Sequence, residues 1–369
     1  MKKILLISGA MPHYAPYVVS YIEILKKNNI PFDLICWNRN LDPIEANHLE
    51  YIIYNKDGDI RKPNWKKFID LYGYSRFVKK QIRKGNYNLI VVFTISECIF
   101  LQKYLQCHFD KRYIFDIRDY SALLNINLFR IMVEKMIEYS KFTVLSSAGF
   151  LNWLPSGDRY SYSVVHNTSV SFLEKQKDIN IQSSYLDKNK IKILTIGQLR
   201  DYESNSTVIE RLANNSNYHL QFSGSGSAEE KLKKYSEEIL AKNVTFTGRY
   251  KKEDEETIVE DFDMINIYFN HDVNSDSLMS NRFYLSVLQR KPMIVRKNTF
   301  QAKLVEQFGL GVVLDDVDDF PKKIECWWNK FDQEKYNEGC RRFIDMVITD
   351  MNDFEKKLVD LYKKKSIGY

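Results

Sequence analysis

The sequence lacks several features that would assign it to a class at once. No apolar run approaches the roughly 18 residues of a membrane-spanning helix. The apolar stretch that follows Met1 is short and is interrupted at Pro12, so we expect a buried first strand instead of a secretion signal. The five cysteines form no Cys-x-x-Cys pair. This favours reduced, packed thiols and no metal site in a cytosolic protein.

The common nucleotide and hydrolase motifs are also missing. Neither G-x-G-x-x-G nor G-x-x-x-x-G-K-[ST] occurs in the chain. There is no Ser-His-Asp nucleophile elbow and no His/Cys spacing typical of a metal site. What is present is a composition of 44% hydrophobic and 28% charged residues over 369 positions. This composition is typical of a soluble globular protein, and the length favours two domains.

Short apolar runs alternate with helical patterns along both halves of the chain. Residues 1–172 read as strands separated by helices, and the pattern restarts at residue 191 and continues to 349. Short continuous apolar strands connected by helices indicate parallel sheets covered on both faces. The polar stretch 173–190 has little core-forming potential and reads as a linker. We therefore predict an α/β fold of two Rossmann-like, doubly wound domains, with a ligand site in the cleft between them.

Two places in the second half are candidate anion sites. Gly197 ends the strand IKILTI, where a glycine lets backbone N–H groups approach an anion, and Arg200 would add a charged donor. Ser280 and Asn281 are natural helix N-caps, and Arg282 follows in the first turn. A cation there opposes the helix dipole unless an anion is bound. The alternatives are an ordinary β–α turn with a surface arginine and an ordinary capped helix.

Three further groups of residues could take part in a site. Gly248, Arg249 and Tyr250 end a strand, where the glycine permits close approach and the tyrosine could contact a planar base. In the first half, "FDIRDYS" places Asp119 at a strand end, with Asp116 and Arg118 beside it as acid/base groups, sugar ligands or a structural ion pair. His13 follows the first strand, although a lone histidine is usually not catalytic. His166-Asn167 reads as a capping pair.

The charge is unevenly distributed. Residues 60–84 carry nine Lys or Arg against a single acid, Asp70, with five aromatic side chains interleaved. Such a basic, aromatic helix could lie on anionic lipid. It could instead be a solvated helix whose aromatic side chains enter the core. Nucleic-acid binding is the weakest alternative, because no nucleic-acid motif accompanies the segment.

In their order and spacing, several segments resemble the GT-B glycosyltransferases, in particular the family 4-like ("group 1") enzymes. The resemblance covers nearly the whole chain and rests on "FDIRDY", "IEYSKFTVLSSAGFLNWLP", "VVHN", "ILTIGQLRDY", "LQFSGSG", "VTFTGRY" and "SNRFYLSVLQRKPMIV". It implies transfer of a sugar from a UDP- or GDP-sugar without a metal or other cofactor. The second domain would hold the nucleotide and the first the acceptor. The last helix, 350–369, would cross back to the first domain.

The resemblance also implies roles for individual residues. The diphosphate would be bound by Gly197, Arg200, Ser280, Asn281 and Arg282, and the base by Gly248, Arg249 and Tyr250. Asp119 would be a cleft residue of the first domain, and we take it with His13 as the catalytic candidates.

The chain departs from the family pattern at three places. The lysine that usually follows the phosphate-binding arginine is missing, since Asp201 and Tyr202 follow Arg200. The family carries two glutamates with seven residues between them, and these places fall on Ser277 and Leu285. Ser277, with Asp276, remains a candidate for the donor sugar, but leucine cannot bind ribose hydroxyls. We therefore expect another grip on the nucleotide, through Tyr284 or Asp276. These losses leave the stereochemistry of transfer open.

The first functional hypothesis is a hexosyltransferase of bacterial surface polysaccharide synthesis, acting for capsule, O-antigen or exopolysaccharide. The acceptor would be a lipid-linked saccharide, and the protein would be cytoplasmic or peripheral on the inner membrane face through residues 60–84. The second hypothesis is a GT-B-shaped partner or binding subunit without catalysis, which the missing glutamates support. A third is a sugar-nucleotide epimerase. Nucleic acid is not an expected partner.

Overall fold

The computed structural model describes residues 3–44, 50–58, 62–168, 170–177 and 190–367. Contacts divide the chain into two units. The first unit comprises Met1–Ser169 together with Thr349–Tyr369, and the second comprises Val170–Ile348. The expected linker, 173–190, lies largely outside the described residues. None of the helices in the described ranges has the length and apolarity needed to cross a bilayer.

The first unit is built on a seven-stranded parallel sheet with the strand order β3-β2-β1-β4-β5-β6-β7. Its central strands are entirely apolar or nearly so, as in YNLIVVF of β4, because helices cover both faces of the sheet. The strands are β1 (Lys3–Ser8), β2 (Phe32–Asn38), β3 (Ile52–Asn55), β4 (Tyr87–Phe93), β5 (Tyr113–Ile117), β6 (Phe142–Leu145) and β7 (Tyr162–Val164).

Within the described residues, five α-helices and four short 3-10 turns connect these strands. The helices are α1 (Pro16–Lys27), α2 (Asn64–Lys84), α3 (Ile95–Cys98), α4 (Gln102–His108) and α5 (Asn127–Tyr139). The 3-10 turns are Pro12–Tyr14, Ile99–Leu101, Ala122–Asn125 and Ala148–Asn152. The segment 60–84, apart from residues 60 and 61, which are outside the described ranges, is therefore mostly the single helix α2.

The second unit repeats this plan with six parallel strands in the order β10-β9-β8-β11-β12-β13. Its strands are β8 (Ile191–Ile196), β9 (Tyr218–Ser223), β10 (Val244–Gly248), β11 (Met264–Ile267), β12 (Met293–Arg296) and β13 (Gly311–Leu314). Its helices are α6 (Val170–Lys177), α7 (Tyr202–Leu212), α8 (Glu229–Glu238), α9 (Glu255–Glu260), α10 (Asn281–Leu288), α11 (Phe300–Phe308) and α12 (Phe320–Trp328), and a 3-10 turn covers Lys252–Asp254.

The last helix, α13 (Gln333–Ile367), runs without interruption through the end of the second unit and into the first. The sequence predicts a separate last helix at 350–369, whereas the structure has one continuous helix across residue 349, so that break is wrong. No proline or glycine lies between Thr349 and Asn352 to stop a helix. Within the first unit, Glu355 accepts bonds from Lys27 and Asn28, and Asp350 pairs with His166 at 3.0 Å.

Both sheets have the doubly wound order: the chain adds strands on one side of the first strand and then on its other side. This switch point lies between β1 and β4 in the first unit and between β8 and β11 in the second. Doubly wound sheets bind ligands beyond the carboxyl ends of the strands at that place. The α/β prediction of two doubly wound domains is therefore confirmed. A ligand site is expected beyond the carboxyl ends of the strands at each of the two switch points.

Candidate functional site

A cavity opens beyond the carboxyl ends of β8 and β11, at the switch point of the second sheet. Its volume is about 660 Å³, which is in the range of pockets that hold a small molecule or nucleotide. Residues from the turn after β8, the loop after β11 and the first turn of α10 line it. All the lining residues belong to the second unit.

The turn after β8 is shaped by glycine. Gly197 has φ +95°, in the region that other residues rarely adopt, and its N–H donates to the Ser223 carbonyl at 2.8 Å. The neighbouring turn after β9 crosses it so closely that a Cβ on Gly224 would lie 1.8 Å from the Gly197 oxygen. Gly197 therefore leaves room at the cavity wall, while its own N–H is already used within the sheet.

Asp201 holds the same turn to the loop that follows β11. It caps α7 by accepting from the Ser204 N–H at 3.2 Å and from the Ser204 hydroxyl at 2.5 Å. Its other contact is the Asn270 N–H, at 2.7 Å. Both carboxylate oxygens of Asp201 thus accept hydrogen bonds from within the protein. We infer that Asp201 stabilises the wall of the cavity.

Arg282 is half-buried at the start of α10 and lines the cavity. Its guanidinium donates to the carbonyls of Ile196 and, at 3.0 Å, Gln198, and it lies 5.5 Å from the centre of the Phe269 ring. Burial lowers the pKa of Arg282 to about 10, so the group stays charged at neutral pH. Those two bonds use two of its five N–H groups, which leaves donors for an anion.

Arg200 lies on the other side of that turn and is exposed at the cavity wall. Among the residues that the structure describes, no carboxylate lies within 4.0 Å of the nitrogen atoms of Arg200 or Arg282. Two cations thus share one cavity without ion-pair partners from the described chain. That arrangement suits a ligand with two adjacent negative groups.

The N-terminus of α10 completes this wall. Ser280 is the N-cap, and its hydroxyl oxygen accepts from the Phe283 N–H at 3.3 Å while donating to the Gln301 side chain at 2.7 Å. Asn281 is exposed and lines the cavity. The partial positive charge of a helix N-terminus therefore adds to that of the two arginines. The structure thus brings together Gly197, Arg200 and the three residues predicted from the capped helix.

Leu285, which stands where the resemblance implies a ribose-binding glutamate, does line the cavity. The sequence interpretation missed a different acid, Glu255, at the start of α9. Glu255 lines the cavity and accepts from the Tyr250 hydroxyl at 3.0 Å and from Lys252. The run 251–256 is highly charged and follows a strand end, which is the sequence signal for this acid.

The expected base-binding loop lies beside the cavity. Gly248, with φ +71°, accepts from the Gly224 N–H at 2.7 Å, and Arg249 donates to Ser225 at 2.9 Å. The Tyr250 hydroxyl would lie 3.9 Å from a Cβ built on Gly197. Burial, followed by the Glu255 carboxylate, raises the pKa of Tyr250, so its hydroxyl stays protonated. Tyr250 thus holds Glu255, and none of the three residues lines the cavity wall itself.

Three other predicted residues do not line the cavity. Tyr284 is buried, with its ring 6.2 Å from Phe343, because it lies on the face of α10 that packs into the core. Ser277 is buried and donates to the Val273 and Asn274 carbonyls of its own loop. Asp276 pairs with His271 at 2.6 Å. The structure therefore does not place Tyr284 or Ser277 at the cavity, which corrects their assignment to ribose and sugar.

In the first unit, Asp116 and Arg118 form a buried ion pair at 2.5 Å. The Tyr21 hydroxyl donates to Asp116 at 2.6 Å, and Arg118 donates to the Val165 carbonyl at 3.1 Å. Arg118 also donates to Asn167 at 3.1 Å, so the expected capping asparagine belongs to this network. Of the readings left open, the structural ion pair is the one that this geometry supports.

The two catalytic candidates of the first unit are both exposed. His13 lies in the 3-10 turn after β1, with its Nε2 atom 3.7 Å from an Asp42 oxygen. Asp119 follows β5 and, unlike Asp116, reaches the surface. Both stand near carboxyl ends of strands of the first sheet, as predicted, and their chemical role stays a prediction.

A second cluster at the switch point of the first sheet was missed. Glu97 pairs with Arg39 at 2.6 Å and accepts a hydrogen bond from the Thr94 hydroxyl. Thr94 has φ +65° and ψ 149°, a strained conformation of the kind found at functional sites. A Cβ on Gly9 would lie 2.0 Å from Glu97. The polar run TISE directly after β4 was the sequence signal for this cluster.

Metal ligands are not clustered in the described ranges: no group of three or more His, Cys, Asp or Glu is arranged to hold an ion there.

No family model and no curated protein matches the chain.

Solved structures do match, over nearly the full length of both chains. A sucrose-phosphate synthase from Thermosynechococcus elongatus is 12% identical, with 99% of each chain covered and a TM-score of 0.68. The lipopolysaccharide outer core galactosyltransferase WaaB, in its apo form, is 15% identical, with 95% of this chain and 98% of that chain covered and a TM-score of 0.69.

HepE from Anabaena, solved in complex with UDP, is 13% identical, with 97% of this chain and 100% of that chain covered and a TM-score of 0.63. At these identities the likeness establishes the fold. The chain has the GT-B fold shared by these glycosyltransferases.

Proposed function

We propose that the protein is a glycosyltransferase that binds a UDP- or GDP-sugar in the cavity of the second unit. The observation that carries the proposal is the pair Arg200 and Arg282, which line one cavity beside the N-terminus of α10. The diphosphate of a nucleotide-sugar presents the matching charge. HepE, which shares the fold, was solved with UDP.

In this proposal catalysis consists of positioning and of electrostatic stabilisation. As the bond between the sugar and the diphosphate breaks, negative charge grows on the leaving oxygen. Arg200, Arg282 and the free N–H groups of α10 would stabilise that charge without rearranging. Metal-independent transfer of a hexose is part of the proposal, since these groups would supply the positive charge. Asp119 and His13 remain candidates for contact with the acceptor.

The acceptor we propose is a lipid-linked saccharide in bacterial surface polysaccharide synthesis, such as capsule or O-antigen. The support is the basic helix α2, which is suited to the inner face of the plasma membrane. WaaB, a lipopolysaccharide galactosyltransferase by its title, shares the fold. The anionic headgroups of that membrane's lipids would attract the basic helix and so bring the protein to its substrate.

The test replaces Arg200 with alanine and measures sugar release from UDP- and GDP-sugars. We expect a loss of about 100- to 1,000-fold in turnover, as for other groups that stabilise a developing anion. Arg211→Ala on α7, whose side chain bonds the Asp316 carbonyl, is the matched control and should retain activity. Equal activity of Arg200→Ala and the control would refute the diphosphate assignment.

One observation favours the second candidate function, a catalytically inactive binding or partner subunit. Leu285 lines the cavity, and Ser277 is turned into its own loop, so neither family glutamate has a replacement at its own position. Thermal unfolding with UDP and GDP separates the two functions. Stabilisation followed by sugar release supports the transferase, whereas no stabilisation by any nucleotide supports the partner subunit. An epimerase would instead change the sugar in the absence of an acceptor.

A further inference from the structure

The exposed residues of α2 form a single stripe along the helix. Trp65, Ile69 and Tyr72 are 61%, 56% and 54% exposed, and their spacing of four and three residues places them on one face. Continuing the same spacing, Arg76, Lys80 and Arg83 are exposed along the second half. The helix thus presents apolar and aromatic side chains at one end and basic side chains at the other.

A second helix extends the apolar end of this stripe. Phe68 of α2 stacks on Phe129 of α5, with ring centres 5.7 Å apart, and Phe68 also contacts Phe100 at 6.2 Å. This ring cluster joins the two helices. Beside Phe129, α5 exposes Leu128 (63%) and Ile131 (50%). We define the apolar face as Trp65, Ile69 and Tyr72 of α2 with Ile126, Leu128 and Ile131 at α5.

The charges around this face have one sign along α2. The helix carries seven Lys or Arg and one acid, Asp70. Asp70 is buried and paired with Lys56 at 2.8 Å and Lys62 at 3.1 Å, so it does not offset the exposed cations. A partner that covers both ends of the stripe must therefore combine apolar groups with dense negative charge.

We propose that α2 and α5 together dock on an anionic lipid bilayer, with the apolar face entering the headgroup–acyl boundary and the basic stripe contacting lipid phosphates. A tryptophan and a tyrosine suit that boundary, since their rings are apolar and their polar atoms meet water. A second copy of this chain would instead bring like charges together. The proposal deepens the proposed function by naming the surface that meets a lipid-linked acceptor, and its test does not depend on catalysis.

The experiment measures co-sedimentation with vesicles of equal parts phosphatidylglycerol and phosphatidylcholine, and with phosphatidylcholine alone. We expect binding to the anionic vesicles. Leu128→Ser with Ile131→Ser should weaken it by about tenfold or more, because two apolar side chains no longer leave water. The matched control, Leu240→Ser with Val317→Ser, changes two exposed apolar residues of the second unit and should leave binding unchanged.

The charge arm replaces Arg76, Lys80 and Arg83 with glutamine. We expect a loss of about 100-fold on anionic vesicles, since each basic residue near such a surface contributes about fivefold. Lys231→Gln, Lys234→Gln and Lys330→Gln remove the same charge from exposed positions of the second unit and should have little effect.

Three results would overturn the proposal. These are no binding of the unchanged protein to anionic vesicles, unchanged binding of the Leu128/Ile131 variant, and a dimer in sedimentation velocity that this variant dissociates. The last would identify a second copy as the occupant. Thermal stabilisation by UDP or GDP, measured on the same samples, reports separately on the proposed function. Binding to anionic vesicles without stabilisation by UDP or GDP would therefore refute the proposed transferase function and still support the proposed docking surface.

Discussion

The two units can be compared at their switch points, because their sheets share one strand order. In the first unit the charged side chains there satisfy one another: Asp116 with Arg118, and Glu97 with Arg39. In the second unit, Arg200 and Arg282 line an open cavity, with no carboxylate of the described residues at ion-pair distance. Strand order thus gives both units the same place for a site, and the two places differ in whether their charged side chains are paired.

The comparison also separates two uses of a buried charge. Asp116 and Arg118 are taken out of water together, so each compensates the other and little binding capacity remains. Arg282 is half-buried against carbonyl oxygens, and burial lowers its pKa. A bound anion would offset that cost, which makes the second site responsive to ligand. The first network should matter for stability, and the second for binding.

The largest effect should come from breaking the first network. Asp116→Ala leaves the Arg118 guanidinium buried without its partner, and we expect a loss of about 3–5 kcal/mol in the free energy of unfolding. Chemical denaturation measures it. Asp119→Ala, three residues further on and exposed, is the control and should stay within about 0.5 kcal/mol. A small effect of Asp116→Ala would mean that the ion pair is not structural.

The next largest effect concerns the second unit, where we expect a change in ligand binding instead of a change in stability. We expect Arg282→Ala to weaken UDP binding by about 2–3 kcal/mol, since it removes one charged donor to the diphosphate, while UMP binding changes little. Titration calorimetry with both nucleotides measures the difference. Arg211→Ala should bind both as the unchanged protein does. An equal loss for UDP and UMP would show that Arg282 shapes the cavity and does not contact the terminal phosphate.

Particular strands and helices show how much of the fold could be predicted from the sequence. The predicted strand IKILTI has the bounds of β8, because it is a short apolar run between polar and turn residues. β3 was missed because its apolar run, Ile52 to Tyr54, is only three residues long and lies half-buried at a sheet edge. The continuity of α13 was also missed, although no proline or glycine lies between Thr349 and Asn352 to end the helix.

The site divides in the same way. Gly197, Arg200 and Arg282 could be brought together from the sequence, because parallel strands present their carboxyl ends at one edge. Tyr284 could not be placed, since two residues along a helix turn a side chain roughly 200° away from Arg282. Glu255 was missed because its approach depends on the path of the loop after β10.

The smallest predicted effect addresses Leu285, the leucine in the cavity wall. If the nucleoside lies as the resemblance implies, Leu285→Glu would give the ribose hydroxyls a carboxylate acceptor, and we expect UDP to bind about fivefold more tightly. The gain should vanish for 2′-deoxy-UDP, which lacks one of the hydroxyls. Leu285→Gln, similar in size and uncharged, is the control and should gain less. Weaker binding of both nucleotides would place the ribose elsewhere, and Glu255, already an acceptor for the Tyr250 hydroxyl at 3.0 Å, would become the next position to change.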